Sequence, residues 1–160
     1  MRKLLTAAGY DKLKAELDWQ LRTHRPEITA VVSWAASLGD RSENADYQYN
    51  KRKLREIDRR IRYLSKLFEV AERVEYSPVQ EGKVFFGAWV ELENDGGEVL
   101  KVRIVGDEEV YGNHNHISLK SPMAKACLGK QLDDEVEVRT PEGIKKWYIT
   151  DISYHETSTD

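Results

Sequence analysis

Residues 54–71 read LREIDRRIRYLSKLFEVA, and apolar side chains recur in this stretch at alternating intervals of three and four residues. The recurring positions are Leu54, Ile57, Ile61, Leu64, Phe68 and Ala71. A mean period of about 3.5 residues places them on one stripe of a helix, which is the pattern of a coiled-coil seam. The stretch therefore predicts a long helix that packs against a helical partner.

A second apolar series upstream supplies that partner. It keeps nearly the same spacing, with one extra residue between its third and fourth members, and consists of Tyr10, Leu13, Leu17, Leu21, His24, Ile28, Val31, Ala35 and Leu38. Between the two series, Gly39 is a typical helix stop, and Asp40 or Ser42 is a typical helix start. The pattern predicts an antiparallel helical hairpin whose second helix runs from Glu43 to Val74.

Pro26 lies inside the first predicted helix. Because proline removes one backbone hydrogen bond and its ring clashes with the preceding turn, we expect a kink or a local break near residues 22–25. The first arm of the hairpin is therefore predicted to bend.

The helical pattern ends within residues 76–82, which contain a proline and a glycine, and a β pattern follows. Two apolar stretches, 88–93 and 99–105, flank a glycine turn and predict a pair of strands. Residues 135–140 and 145–153 predict two more strands, and Ser121-Pro122 predicts a short helix that ends near residue 128. The chain is therefore predicted to be α+β, with a coiled-coil hairpin domain at 1–76, a linker at 77–81 and a mostly β domain at 82–156.

The charge is balanced overall but divided between the two halves. Charged residues make up 33% of the chain and the net charge is −3, which by itself indicates neither a nucleic acid nor a membrane partner. Residues 1–78 carry a net charge of +4 and residues 79–160 one of −7, so the halves suit different partners. A single cysteine excludes an internal disulfide, and the longest uncharged run, residues 28–39, is shorter than the ~20 residues of a membrane helix. We expect a cytoplasmic protein with no membrane partner.

Asp40 and Glu43 stand three residues apart at the predicted tip of the hairpin, so their carboxylates can share one face. Two interpretations fit this spacing. Asp at the N-cap with Glu three residues later imitates a capping box, which would stabilise the second helix and do nothing more. Alternatively, the pair binds Mg²⁺, which prefers carboxylate oxygens but takes six ligands, so that a partner would have to supply the others.

Just behind the tip, residues 51–62 contain seven basic and two acidic side chains. A solvated coiled-coil face is the ordinary explanation, since such faces are charged. Mixed signs are usual there, however, and the excess here is one-sided, which favours a surface that follows phosphates. Tyr47, Tyr49 and Tyr63 flank the run and could stack on bases, although Tyr47 also fits the seam.

Other reactive side chains lack the companions that chemistry would need. His114 and His116 have the spacing of a metal-binding pair, but no third ligand lies near them in sequence, so an ordinary loop is predicted. Cys127 has no evident base partner and is predicted to be a packed thiol. The sequence has no glycine-rich phosphate loop, nucleophile elbow or paired-cysteine metal motif. It therefore predicts no self-sufficient catalytic site.

Three segments of the chain resemble a known family. Residues 34–51 read WAASLGDRSENADYQYNK, residues 81–90 read EGKVFFGAWV and residues 121–126 read SPMAKA. They resemble the bacterial Gre transcript-cleavage factors, and the first segment resembles the GreB branch in particular. The resemblance covers nearly the whole chain, and the long tip segment is far more specific than a lone carboxylate pair.

In that family the hairpin enters the secondary channel of RNA polymerase, and a C-terminal FKBP-like domain holds the rim of that channel. The resemblance implies that Asp40 and Glu43 are the catalytic and metal-binding residues, which help the polymerase's own aspartates to hold a second Mg²⁺. The ion would be shared with the polymerase rather than held by the isolated protein. The chain would then be no enzyme itself but an activator of the polymerase's own cleavage of backtracked RNA.

The resemblance also assigns two binding surfaces. The RNA-binding residues, which would contact the 3′ segment of backtracked nascent RNA, are Lys51, Arg52, Lys53, Arg55, Arg59 and Arg60. The polymerase-docking residues would be Lys120, Ser121 and Pro122. Lys120 stands where related proteins commonly carry an acidic or small polar residue. We expect a monomer that works on the polymerase.

Three other functions are compatible with the sequence. The protein could regulate or inhibit RNA polymerase through the same channel without promoting cleavage, although the intact Asp40 and Glu43 argue against this. It could be a structural coiled-coil adapter whose acidic pair is only a cap. By fold analogy the C-terminal domain could be a prolyl isomerase, but fold does not determine function, and no catalytic pocket is evident in the sequence.

Overall fold

The computed structural model of the chain describes residues 2–41, 43–112 and 114–155. It separates into two units, one made of residues 2–3 and 8–71 and the other of residues 4–7 and 72–155. The first unit is helical, and the second is built around a five-stranded sheet. This confirms the predicted α+β class.

The first arm of the hairpin is a continuous helical run that contains a π-helical turn. It consists of α1 (Ala7–Trp19), the π turn Gln20–His24 and α2 (Arg25–Ser37). The π turn ends two residues before Pro26 and accommodates an extra residue, so it is the local break predicted near residues 22–25. It also changes which residue is covered: Gln20 is 8% exposed, whereas Leu21 is 49% exposed. The predicted place of Leu21 in the seam is therefore wrong by one residue.

The second arm is α3 (Ala45–Val70), which is 26 residues long, so the predicted helix from Glu43 to Val74 is too long at both ends. The segment predicted as its last turn is instead β2 (Ala71–Val74), because it pairs with β1 (Lys3–Thr6) in a two-stranded sheet. The strand pairing supplies backbone hydrogen bonds that a further helical turn would otherwise provide.

The two arms run antiparallel and pack along an apolar seam. Arg25 pairs with Asp58, while Glu16 pairs with Arg60, so an earlier residue on the first arm meets a later residue on the second. The buried seam side chains are Ile28 and Ala35 from α2 and Tyr47, Ile57, Leu64 and Leu67 from α3. The predicted hairpin is confirmed, and Leu67 is added to its predicted seam.

The second unit contains β3 (Trp89–Glu93), β4 (Val99–Val105), β5 (His116–Ser118), β6 (Glu135–Thr140) and β7 (Gly143–Ser153). Their order in the sheet is β5-β4-β3-β7-β6, with β4 and β5 parallel and the other neighbours antiparallel. The short helix α4 (Pro122–Cys127) contributes Ala124 and Cys127 to the core of this unit. The four predicted strands and the predicted helix are confirmed. Strand β5 is an addition to them, because three residues are too few to display a period in the sequence.

Strand β1 belongs mostly to the second unit, where the side chain of Glu109 holds it. Leu5 is fully buried, and the Thr6 N–H donates to Glu109 Oε2 over 3.0 Å, while the Thr6 hydroxyl donates to Oε1. The Gly106 N–H also donates to Glu109 Oε2, over 2.9 Å. A Cβ at Gly106 would lie 2.1 Å from the carbonyl oxygen of Leu4, so this approach of the two backbones requires glycine.

Candidate functional site

The turn between α2 and α3 presents the predicted acidic pair. α2 is capped at Leu38, and the next two residues, Gly39 and Asp40, adopt positive φ angles of 81° and 34°. Glycine accepts this conformation without steric cost, and aspartate is one of the few other residues found in it. The Glu43 N–H donates to the carbonyl oxygen of Asp40 over 3.2 Å. Both acidic residues are exposed, so one tight turn carries them at the end of the hairpin.

Asn44 closes this turn and caps α3. Its Oδ1 accepts the N–H of Tyr47 over 3.0 Å, and its Nδ2 donates to the Ala35 carbonyl on α2 over 2.8 Å. One side chain therefore starts the second helix and ties it to the first. The predicted start at Asp40, and with it the capping-box interpretation, is wrong; Ser42, the other predicted start, lies outside the described residues. The side chain that caps α3 is therefore that of Asn44.

The acidic pair alone supplies too few ligands for a metal ion. Across residues 2–41, 43–112 and 114–155, no group of three or more His, Cys, Asp or Glu side chains could hold one. Mg²⁺ takes six ligands, and the positive end of a helix dipole opposes a cation nearby. The chemistry of the pair therefore fits a site that another molecule completes.

Tyr47, in the first turn of α3, organises two cations close to the acidic pair in sequence. It is buried, Lys51 Nζ donates to its hydroxyl over 2.9 Å, and the guanidinium carbon of Arg41 lies 5.6 Å from its ring centroid. The hydrogen bond from Lys51 lowers the pKa of Tyr47. Arg41 was not among the predicted site residues, although it lies between Asp40 and Glu43 in the sequence.

Arg52, Arg55 and Arg59 form an exposed row on α3, which we call the arginine stripe. Their spacing of three and four residues places them on one face of the helix. In the part of the chain that the structure describes, none of the three forms an ion pair. Lys53, another predicted RNA-binding residue, is half-buried nearby on the same helix. Guanidinium groups without an internal counter-charge are suited to binding phosphates.

Arg60 differs from the stripe because it joins the two arms. Its Nε and Nη2 donate to Oε2 and Oε1 of Glu16 over 2.6 and 2.7 Å, which makes a bidentate ion pair. The hydrogen bonding lowers the pKa of Glu16 and raises the pKa of Arg60. Arg25 Nε donates to Asp58 Oδ1 over 2.7 Å, which links the arms a second time through one hydrogen bond and raises the pKa of Arg25. Arg60 is therefore used by the hairpin itself.

The predicted docking residues form the loop that leads into α4. Ser121 Oγ accepts the Ala124 N–H over 3.3 Å and so caps α4, and Pro122 occupies the first position of that helix. Lys120 and Pro122 are exposed, and Lys120 Nζ lies 3.2 Å from Asp107 Oδ2. We call residues 118–122 the docking loop. It belongs to the second unit, whereas the acidic pair belongs to the first.

The remaining candidate side chains have structural surroundings. His114 lies in an exposed loop as predicted, but His116 is in β5, where its ring stands edge-on to Trp89 with centroids 5.7 Å apart. The loop prediction is therefore wrong for His116. Cys127 is buried, and desolvation raises the pKa of its thiol to about 11. The predicted packed thiol is confirmed.

Two family models together match nearly the whole chain. The model described as transcription elongation factor, GreA/GreB, C-terminal matches residues 79–154, and the model described as transcription elongation factor, N-terminal, matches residues 3–72. The chain belongs to the GreA/GreB family of transcription elongation factors. The resemblance inferred from the tip segment is thereby confirmed.

Several GreB proteins are similar to this Gre factor over nearly their full length. Transcription elongation factor GreB of Vibrio vulnificus is 64% identical over 153 residues, which is 95% of this chain and 96% of that relative. GreB of Pseudomonas putida is 61% identical over 158 residues, which is 98% of this chain and 98% of that relative. GreB of Haemophilus ducreyi is 53% identical over 154 residues, which is 96% of this chain and 95% of that relative. These identities place the chain in the GreB branch, and it is a transcription elongation factor.

Two solved structures also match. GreA factor homolog 1 of Thermus thermophilus is 29% identical and has a TM-score of 0.43, covering 96% of this chain and 99% of its own. The GreA/GreB factor of Nitrosomonas europaea is 17% identical with a TM-score of 0.43, and the match covers 96% of this chain and 100% of that chain.

Within the described residues of this Gre factor, no helix is long and apolar enough to span a membrane.

Proposed function

We propose that this Gre factor binds RNA polymerase, inserts its hairpin tip into the secondary channel and stimulates the polymerase's own Mg²⁺-dependent cleavage of backtracked nascent RNA. The observation that carries the proposal is the exposed acidic pair on a turn whose helix cap is another residue. Asp40 and Glu43 are exposed at the end of the hairpin, and Asn44 caps the helix that follows them. Membership of the GreA/GreB family supports the same function.

Asp40 and Glu43 would hold the Mg²⁺ together with groups of the polymerase. The ion, when bound there, would supply activation of a water molecule and stabilisation of the leaving oxygen. The chain's own contribution is to fix the position of the two carboxylates through the tight turn and through the hydrogen bonds of Asn44 to both helices. Because Mg²⁺ takes six ligands, the two carboxylates would complete a site on the polymerase, and the protein would act as an activator of the polymerase's own chemistry.

The arginine stripe would contact the extruded 3′ segment of the nascent RNA. Arg52, Arg55 and Arg59 are exposed on one face, and each can donate two hydrogen bonds to a phosphate. Lys51 and Lys53 add positive charge on the same helix. The docking loop of the second unit would contact the rim of the channel. A protein that works on RNA polymerase in this way acts in the bacterial cytoplasm.

The decisive experiment uses charge-neutral variants at the tip. Asp40→Asn and Glu43→Gln should each reduce cleavage in a stalled, backtracked complex on the order of 100-fold, about 2.7 kcal/mol of transition-state stabilisation. Polymerase binding should be retained, because the docking loop is unchanged. Asp46→Asn is the matched control, since Asp46 is an exposed acid in the first turn of the same helix. Calorimetry on the free protein should detect no tight Mg²⁺ site.

Normal cleavage by both Asp40→Asn and Glu43→Gln would refute the metal role. Polymerase binding without any cleavage by the wild-type protein would instead indicate a regulator that uses the channel differently. If the wild-type protein bound no polymerase at all, a structural adapter would be the better explanation of the hairpin.

A further inference from the structure

Asp107 lies beside the docking loop, in the 3₁₀ turn Asp107–Glu109. Its Oδ2 lies 3.2 Å from Lys120 Nζ, and its Oδ1 accepts the hydroxyl hydrogen of Ser118. Ser118 Oγ in turn accepts the backbone N–H of Lys120 over 3.0 Å. A single carboxylate thus holds the side chain of Lys120 directly and its backbone through Ser118.

We propose that Asp107 is a positioning residue for polymerase docking. It fixes Lys120 and the following Ser121-Pro122 in one arrangement, so that the docking loop is already ordered when it meets the polymerase. The inference rests on the docking role proposed above for these three residues. It adds a residue that lies outside the docking segment itself and acts through that segment.

Backbone hydrogen bonds fix the docking loop on both sides of Lys120, and Asp107 contacts the side chain of Lys120 between them. The Leu119 N–H donates to the Val105 carbonyl over 2.9 Å, and the Ser121 N–H donates to the Ser118 carbonyl over 2.9 Å. The side chain of Lys120 between them is 64% exposed, so few packing contacts limit its rotamers. Ordering a lysine side chain on binding costs conformational entropy. Holding that side chain before binding reduces the cost.

The pairing also affects the electrostatics of docking. A lysine covered by a partner without a counter-charge loses its hydration and gains nothing in return, which is strongly unfavourable. Asp107, whose side chain is 33% exposed, supplies the counter-charge from within the chain. The polymerase surface that covers Lys120 therefore does not need an acidic residue of its own at that point.

Asp107→Asn separates the ion pair from the rest of the cluster. The amide keeps the size of the side chain and can still accept the Ser118 hydroxyl, but it carries no charge for Lys120. The dissociation constant for polymerase, and the protein concentration that gives half-maximal cleavage, should both rise roughly three- to fivefold. The maximal cleavage rate at saturating protein should be unchanged, because the tip is intact. If Asp107 served only to stabilise the fold, Asp107→Asn would lower the melting temperature of the protein, and we expect no such change.

A matched control and a double variant complete the test. Glu142→Gln removes an exposed acid that lies 3.4 Å from Lys145 in the β6–β7 turn, and it should leave docking unchanged. In a Lys120→Met background, Asp107→Asn should cause no further loss, because the two residues act as one unit. Wild-type affinity in Asp107→Asn, or fully additive losses in the double variant, would overturn the inference while leaving the proposed function standing. A wild-type protein that does not bind polymerase would overturn both.

Discussion

Arg59 and Arg60 are adjacent in sequence but have different surroundings. Arg59 belongs to the exposed arginine stripe, whereas Arg60 forms a bidentate ion pair with Glu16 on the other arm. We predict that Arg59→Ala weakens the interaction with extruded RNA and leaves the hairpin stable. Arg60→Ala should destabilise the hairpin and leave RNA binding nearly unchanged. The two variants control for each other, because each removes one arginine from the same helical turn.

The size of the stability effect follows from the geometry of the ion pair. Arg60 and Glu16 are joined by two hydrogen bonds of 2.6 and 2.7 Å, and their side chains are 41% and 30% exposed. Hydrogen bonds to charged groups contribute about 1.5–3 kcal/mol, whereas exposed ion pairs contribute at most about 1 kcal/mol. A half-exposed bidentate pair falls between these two ranges, so Arg60→Ala should lower the free energy of unfolding by about 1–1.5 kcal/mol. Arg59→Ala should change it by less than about 0.5 kcal/mol.

The same ion pair makes the stability of the hairpin depend on pH. Because Arg60 lowers the pKa of Glu16 in the folded state below its ordinary value of 4.5, the pair contributes fully above that pH. The contribution disappears as the pH falls through the lower folded-state pKa, where Glu16 becomes protonated. Arg60→Ala should abolish this part of the acid dependence, and Arg59→Ala should preserve it.

Two measurements test the contrast. Urea unfolding followed by far-ultraviolet circular dichroism reports the helical hairpin, and cleavage of complexes with long extruded RNA, repeated over a range of salt, reports the interactions with phosphates. Removing one arginine that neutralises a phosphate of a single strand should reduce the slope of log K against log salt by about 0.7. Complexes backtracked by only two or three nucleotides should respond less to Arg59→Ala. A reduced salt slope for Arg60→Ala with unchanged stability would refute the assignment of Arg60 to the hairpin.

Two further predictions concern the second unit. Gly106→Ala should lower the free energy of unfolding by about 3 kcal/mol, because a Cβ 2.1 Å from the Leu4 carbonyl oxygen displaces β1 and exposes a buried leucine. Gly96→Ala is the control, since its Cβ would meet nothing nearer than 3.5 Å, and equal stability of the two variants in urea would contradict the close approach. Burial raises the pKa of the Cys127 thiol to about 11, so this thiol should resist alkylation at pH 8 in the folded protein and react when the protein unfolds. Rapid labelling without urea would show that the thiol is accessible.

Periodicity predicted those parts of the fold whose elements are long. The apolar series that includes Ile57 and Leu64 identified α3, because each helical turn repeats the signal. The glycine turn between residues 93 and 99 identified the β3–β4 hairpin for a similar reason, since a turn signal is flanked by two alternating stretches. Short elements such as β5 escaped prediction, and so did the strand character of residues 71–74, whose partner β1 is far away in sequence.

The tip segment predicted Asp40 and Glu43 as site residues but did not predict that Asn44 caps the helix after them. Aspartate, serine and asparagine all make good caps, so local preference could not choose among several candidates in a row. The structure favours Asn44 because its amide has both an acceptor for the Tyr47 N–H and a donor for the Ala35 carbonyl on the other arm. The Ala35 carbonyl lies on a different helix, so preferences read from neighbouring residues in the sequence cannot predict this hydrogen bond.

The ion pairs between the arms leave the net charge of residues 51–62 unchanged, although they engage two members of that run. Asp58 is paired with Arg25 and Arg60 with Glu16, so one acid and one base are taken up by the hairpin. Six basic residues and Glu56 are left in the run, and the net charge of the remainder is still +5. The ion pairs change where the positive charge of this run is exposed, because the arginine stripe lies on one exposed face of α3. A phosphate backbone that follows this face meets positive charge at each turn, whereas a patch that included Arg60 would have had to break the hairpin's own ion pair.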